Sequence, residues 1–478
     1  MAPKKTLTAE NLEVLGAKRL AALLMDIADD DAAVKRRLRL ELAVREAPKT
    51  VAAEVRKRLT QIGRAGSFVD WRKIRDLAAD LETQRRTIVD QVAKIDPAEA
   101  LELMWRFMGL AEAVHERCDD SNGVVGDVFR GACRDLGPLT QAAEPDPIAL
   151  ADRVFAALNE NDYGQYDHLI ETLAAALGAK GLDHLKARFV ELSKAPIERP
   201  PEGQRKVIGW GAGGPMYEDE IKARSRESTI RLALQEIADA QGDVDAFIAQ
   251  YDETTRKVPK IAAEIARRLL AAGRADEALE TIEAAEHRRG GWPDFDWEDA
   301  RIEALDALGR GDDAQAARWS CFERALSAEH LRAYLKRLPD FDDVEAETRA
   351  LDHAERYESL LQALAFFVSW PALDRAARLV TRRAGELDGN HYEILSPAAD
   401  ALAGKHPLAA TLVLRAMIGF TLAKARSSRY RHAARHFLEC ASLASSVADY
   451  GAFGTHEAYA ARLKAEHGRK SGFWSLIS

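Results

Sequence analysis

The chain has 478 residues, 47% of them apolar, 30% charged and only 7% aromatic, which is too long for one ordinary core and too poor in aromatics for a β-sandwich. A formal net charge of −9 excludes an overall field that would draw the molecule to nucleic acid or to an anionic membrane, while leaving room for local basic patches. Four dispersed cysteines (Cys118, Cys133, Cys321, Cys440) form no CxxC or CxH pair, and no apolar run is long enough to span a bilayer, so a soluble cytoplasmic protein is expected, with no membrane association.

Helical periodicity dominates from the start. Thr8 opens a helix whose apolar face is Leu12, Leu15, Leu20, Leu23, Leu24 and Ile27. Val34, Leu38 and Leu42 predict a second helix that Pro48 ends, and Val51, Val55, Leu59 and Ile62 a third, stopped by Gly63 and Gly66. Ser67 is placed to cap a long helix through Trp71, Ile74, Leu77, Leu81, Ile88 and Val92. Asp96-Pro97 is a strong start signal, a capping carboxylate followed by proline at the first helical position. Leu101, Met104, Trp105, Met108, Leu110 and Val114 carry the helix that follows.

Residues 136–147 hold Gly137, Pro138, Pro145 and Pro147 and read as a linker. Residues 196–217 hold Pro200-Pro201 and Gly209-Trp210-Gly211-Ala212-Gly213-Gly214-Pro215. A loop of that length inside a compact domain is mobile or functional. The expected organisation is a helical domain over 1–140, a helical hairpin region over 146–195, the Gly/Pro-rich loop 196–217, and helical repeats over 218–478.

In the last of these regions a spacing recurs: a glycine, then an alanine, then another small residue. It runs Gly273, Ala278, Ala285; then Gly309, Ala314, Cys321; and, more loosely, Gly404, Ala409, Ala416. Small residues at such positions let paired helices approach closely while the glycine turns the chain between them. With Ala262, Ile265, Ala266 and Leu269 before Gly273, and Ile282 after it, the first copy resembles the tetratricopeptide pattern. The second places Arg318 where a bulky apolar residue belongs, with Trp319 beside it to fill the gap. Tyr430, Ala433, Phe437 and Cys440 repeat the second-helix pattern. The fold class expected is all-α: an α-solenoid of degenerate tetratricopeptide-like hairpins joined to an N-terminal helical domain.

The segments Ser67-Phe68-Val69-Asp70-Trp71-Arg72-Lys73, Met104-Trp105-Arg106-Phe107-Met108, Glu116-Arg117-Cys118-Asp119-Asp120-Ser121 and, near the end, His456-Glu457-Ala458-Tyr459 and Glu466-His467-Gly468-Arg469-Lys470-Ser471-Gly472-Phe473-Trp474 carry a further likeness. Together they resemble an uncharacterised bacterial family of all-helical proteins, a domain of unknown function. The C-terminal helices are similar to the helical region attached to some SWIM-type zinc-finger proteins, whose paired metal ligands this sequence lacks. The resemblance implies a helical fold and transfers no catalytic residue.

Motifs that carry chemistry are sparse. Gly209-x-Gly211-x-x-Gly214 has dinucleotide-binding spacing, but that chemistry needs a strand before and a helix start after it, whereas Pro215 follows directly. Trp210 within it is of more interest as an aromatic anchor for a partner. Asp119-Asp120-Ser121-Asn122-Gly123 begins like a calcium loop, yet the twelfth position is Arg130, so it reads as a helix stop and a new cap. Asp70, Arg72, Lys73, Glu82, Arg85 and Arg86 form either a polar network between helices or a solvated face.

The densest basic run, Lys424 to His436, includes Arg429, Arg431, His432, Arg435 and His436. His432 and His436 share a helix face but lack the further ligands zinc requires, so a solvated basic face is expected. With Lys464, His467, Arg469 and Lys470 the run forms a basic patch for phosphates or an acidic partner. No nucleophile motif, P-loop or cofactor signature is present. The expectation is a non-enzymatic scaffold or adaptor for a protein or peptide, with Trp210, Arg429, Arg431, His432, Arg435 and His436 at the contact and no cofactor. The alternatives are a nucleic-acid-associated repeat protein and an enzyme or ligand binder built on the 196–217 loop.

Overall fold

The computed structural model describes residues 7–30, 34, 35, 38, 48–197, 199–211, 213–285 and 292–477. Among them the chain is helical throughout, with one two-stranded antiparallel ribbon. It separates into two compact units, Met1–Tyr251 and Asp252–Ser478.

In the first unit, helix Val124–Ala143 packs against Ile74–Thr87 and Pro97–Met108, and helix Leu169–Lys194 against Pro147–Asn159 and Glu218–Gln241. Leu59, Ile74, Leu81, Met104, Phe107, Phe129 and Phe189, all fully buried, belong to one continuous core. Local rules explain several starts. Thr8 Oγ1 accepts from Asn11 N at 3.3 Å to cap helix Ala9–Glu13. Asp96 Oδ1 accepts from Glu99 N at 3.0 Å with Pro97 at the first helical position. Asp120 accepts from Val125 N and Gly126 N, both at 2.9 Å, which makes the Asp119–Gly123 stretch the stop and cap expected of it.

Two expectations are corrected. The helix expected from Ser67 begins at Ile74, because the preceding segment is extended: Val69 N donates to Arg117 O at 2.8 Å and Asp119 N to Val69 O at 3.1 Å. Residues 136–143 are the last turns of a helix, not a linker, and Pro138 lies inside it. Proline removes one helical hydrogen bond, but Leu136 and Thr140, fully buried, keep the apolar face packed through it, and that burial outweighs the loss. The helix predicted over Val34, Leu38 and Leu42 falls mostly outside the described residues.

In the second unit the glycine spacing has a physical basis. Gly273 (φ 74°) and Gly309 (φ 71°) take the left-handed conformation after helices Pro259–Ala271 and Phe295–Ala307. The amide after each glycine reaches five residues back, Arg274 N to Leu269 O at 2.8 Å and Arg310 N to Leu305 O at 2.9 Å. Both turns are the glycine-terminated cap that lets the next helix fold back without a Cβ clash. Gly404, by contrast, keeps right-handed geometry, so the third copy shares the spacing but not the turn.

Ala262, Ile265, Ala266, Leu269, Ala278 and Ile282 are buried, and so are Ala314 and Cys321. Arg318 itself occupies the buried position, only 2% exposed, paired with Asp306 and donating to Gln315 Oε1 at 3.1 Å. Trp319, expected to fill that gap, packs between Phe322 and Tyr334 instead. Helix Pro407–Ala423 is buried on nearly every side and forms the centre of this unit's core.

All four cysteines are free thiols. Burial pushes Cys133, Cys321 and Cys440 up to about 12, and half-buried Cys118 is raised too. No described helix is long and apolar enough to cross a membrane.

Candidate functional site

Two places gather the residues singled out from the sequence, one in each unit. The first is the ribbon inside 196–217, with β1 spanning Val207–Gly211 and β2 Gly214–Tyr217. The register pairs Val207 with Tyr217, Gly209 with Met216 and Trp210 with Pro215, with an irregularity between Val207 and Gly209. Cross-strand partners share a face, so Val207 and Trp210 lie on the Pro215–Tyr217 side. The glycine-rich spacing therefore makes a hairpin, and helix Glu218–Gln241 begins with Glu218, Asp219 and Glu220. Three carboxylates on that helix start oppose a pyrophosphate, which removes the dinucleotide arrangement.

The ribbon's base is fixed and its outer half is free. Glu218 N donates to Lys206 O at 2.9 Å, and Lys206 pairs with Glu218 at 3.1 Å. Arg205 stacks 3.8 Å over the Tyr217 ring and pairs with Asp219 at 3.0 Å and Glu220 at 2.6 Å. Beyond these anchors Trp210 is 79% exposed and Ile208 46%. A cavity of about 450 Å³ lies beside the base, bordered by Ile197, Lys206, Glu218, Lys222 and Arg226. Its charged side chains already have partners. Glu218 holds both Lys206 and Lys222, the latter at 2.8 Å, and Arg226 donates to Ala195 O at 2.7 Å.

The second place is a cavity of about 240 Å³ in the second unit. Arg429, His432, Arg435 and His436 line it from the start of helix Tyr430–Leu443, opposite Tyr392 and Ser396 of helix Tyr392–Ala403 and Met417 and Thr421 of helix Pro407–Ala423. Four of the five basic residues singled out thus converge, while Arg431 is exposed and does not line it. His436 departs from the solvated face expected of the histidine pair: it is 7% exposed, with Nδ1 3.1 Å from Glu439 Oε2. His432 does lie on the exposed surface. Gly389 closes the floor, where an added Cβ would fall 2.8 Å from Met417 Cα, so only glycine lets the two backbones touch.

Of the mixed-charge set near residue 80, Glu82, Arg85 and Arg86 do join, with Arg85 2.7 Å from Glu82 and also paired to Asp135 of the neighbouring helix. Hydrogen bonding from Arg85 holds the Glu82 carboxyl down to about 2, against the cost of burial.

One group escaped sequence reasoning. Arg415 is 8% exposed, makes no ion pair with any described carboxylate, and donates to Phe453 O at 3.1 Å, Gly454 O at 3.2 Å and Thr455 O at 3.2 Å. The Tyr459 ring lies 4.4 Å from its guanidinium, and burial lowers its pKa. Its signal was available: Arg415 is the only charged residue between Pro407 and Ala423. No described group of His, Cys, Asp and Glu is arranged to hold a metal ion.

No curated protein matches the chain. A family model described as a family of unknown function, DUF6880, matches residues 2–476, and the chain accordingly belongs to that family.

Proposed function

We propose that the chain is a non-enzymatic helical scaffold or adaptor that binds a protein or peptide partner through the 207–217 ribbon. The observation that carries this reading is Trp210, a large aromatic left 79% exposed on a ribbon whose base is pinned by ion pairs and stacking. An anchor held on a rigid element contributes binding with little ordering cost. The ribbon has only two strands, so each strand has an outer edge able to accept an extended peptide. In the same reading the helix pairs around Gly273 and Gly309 are degenerate tetratricopeptide-like repeats, a fold suited to presenting surfaces.

The test is affinity purification of tagged wild-type and Trp210→Ala chains from host cells, with and without nuclease treatment, followed by mass spectrometry for protein and gel staining for nucleic acid. A defined protein recovered in stoichiometric amount with the wild type, and lost with Trp210→Ala, supports the reading. Recovery of nucleic acid alone, or equal recovery with both chains, overturns it.

A second reading, an enzyme or ligand binder beside the same loop, rests on the cavity of about 450 Å³ at the ribbon's base.

A further inference from the structure

The small cavity of the second unit differs from the cavity at the ribbon in its charge balance. Arg429 is half-buried, and its contacts are neutral: Nη1 donates to Asn390 Oδ1 at 3.2 Å, and the guanidinium lies 4.9 Å over the Tyr392 ring. No described carboxylate pairs with it. Arg435 and His436 share one carboxylate, Glu439, at 3.5 Å and 3.1 Å. Glu393, the residue after Tyr392, is engaged by His391 at 3.1 Å. The lining itself therefore holds two guanidinium groups and no carboxylate, with Glu439 and Glu393 standing beside it.

The donors are also arranged for more than one oxygen. Arg429 presents a planar fork, His436 keeps Nε2 clear of Glu439 and donates through it as the imidazolium, His432 carries no hydrogen bond or ion pair among the described residues, and Ser428 adds a hydroxyl. They come from the turn Ser427–Arg429 and the first two turns of the following helix, so they share one wall of the volume. A planar carboxylate would use two such donors, whereas a tetrahedral phosphoryl group can use them all. The opposite wall is different: Tyr392 and Met417 offer carbon surface beside the hydroxyls of Ser396 and Thr421. At about 240 Å³ the cavity falls below the roughly 300–1,000 Å³ of pockets for drug-sized molecules.

We propose that this cavity binds a small organic phosphomonoester, its phosphoryl oxygens held by Arg429, His432, Arg435 and His436 and its carbon skeleton against Tyr392 and Met417. The site is separate from the ribbon reading and does not depend on it.

The experiment is calorimetric titration of the full chain with glycerol 3-phosphate, with inorganic phosphate and sodium chloride at matched ionic strength as references. The expected result is a saturable single-site isotherm for glycerol 3-phosphate, weaker binding of inorganic phosphate, and none beyond screening for chloride. Arg429→Ala should weaken binding about tenfold or more, the worth of one hydrogen bond to a charged group. Arg429→Lys, which keeps charge but loses the fork, should fall between them. Lys424→Ala, in the same basic run but outside the cavity, should bind as the wild type does. Circular dichroism of each variant separates lost binding from lost fold. Absence of saturable binding at millimolar ligand, or equal weakening by Arg429→Ala and Lys424→Ala, overturns the proposal.

Discussion

Single side chains in this protein are placed where ordinary propensity would not put them, and each such placement has a measurable consequence. Arg318 sits in a helix-packing position with its charge answered by Asp306. Arg318→Ala empties a buried helix-packing position, although Asp306 keeps Arg337 at 3.5 Å, so it should lower the denaturation midpoint through lost packing. Arg318→Met should recover much of the loss, because an apolar chain of similar length needs no counter-charge. Ala425 makes the opposite case. It adopts φ 50°, with Arg426 N bonded to Thr421 O at 3.0 Å, the same cap that Gly273 and Gly309 make with glycine. The left-handed region strains any residue with a Cβ, so Ala425→Gly should stabilise the fold by roughly 0.5–1 kcal/mol, read from chemical denaturation. Glu82 gives a pH signature. Its carboxyl is held at about 2, below an ordinary 4.5, so its charged form is favoured in the folded state. That contribution is complete above pH 4.5 and is lost as pH falls towards about 2. Glu82→Gln should flatten the stability profile across that window, and an unchanged slope there would refute the assignment.

Among elements, the parts fixed by neighbours in sequence were legible and the parts fixed across space were not. Asp96-Pro97 and the Gly273 and Gly309 turns follow from caps within a few residues. Ser67 looked equally good as a cap, but a bridge from Val69 to Cys118, far along the chain, keeps that segment extended. Pro138 looked like a break, but burial of Leu136 against other helices carries the helix past it. The ribbon was hidden because its glycines erase the alternation by which strands are recognised, although Trp210 was singled out within it. The basic run was visible, while its cavity was not, since Tyr392, Ser396, Met417 and Thr421 come from two earlier helices. A direct check on the turns is Gly273→Ala. With φ at 74° and open space around the Cβ position, the penalty should be conformational alone, about 1 kcal/mol, with no loss of helix content by circular dichroism.

At the scale of the whole molecule, each unit has its own buried centre, one core spanning Val51 to Ile237 and another Phe322 to Phe473. Fragments cut between Tyr251 and Asp252 should each give a helical spectrum and a cooperative melt. A fragment that melts without cooperativity would show that its centre is insufficient alone. The buried thiols extend this test to the intact chain. Cys133 lies in the first unit and Cys321 and Cys440 in the second, and thiols held near 12 form almost no thiolate at neutral pH. A maleimide or disulfide reagent should therefore modify the native protein first at half-buried Cys118. Any slower labelling becomes a clock for opening, with Cys133 timing one unit and Cys440 the other, and no probe has to be engineered into the sequence.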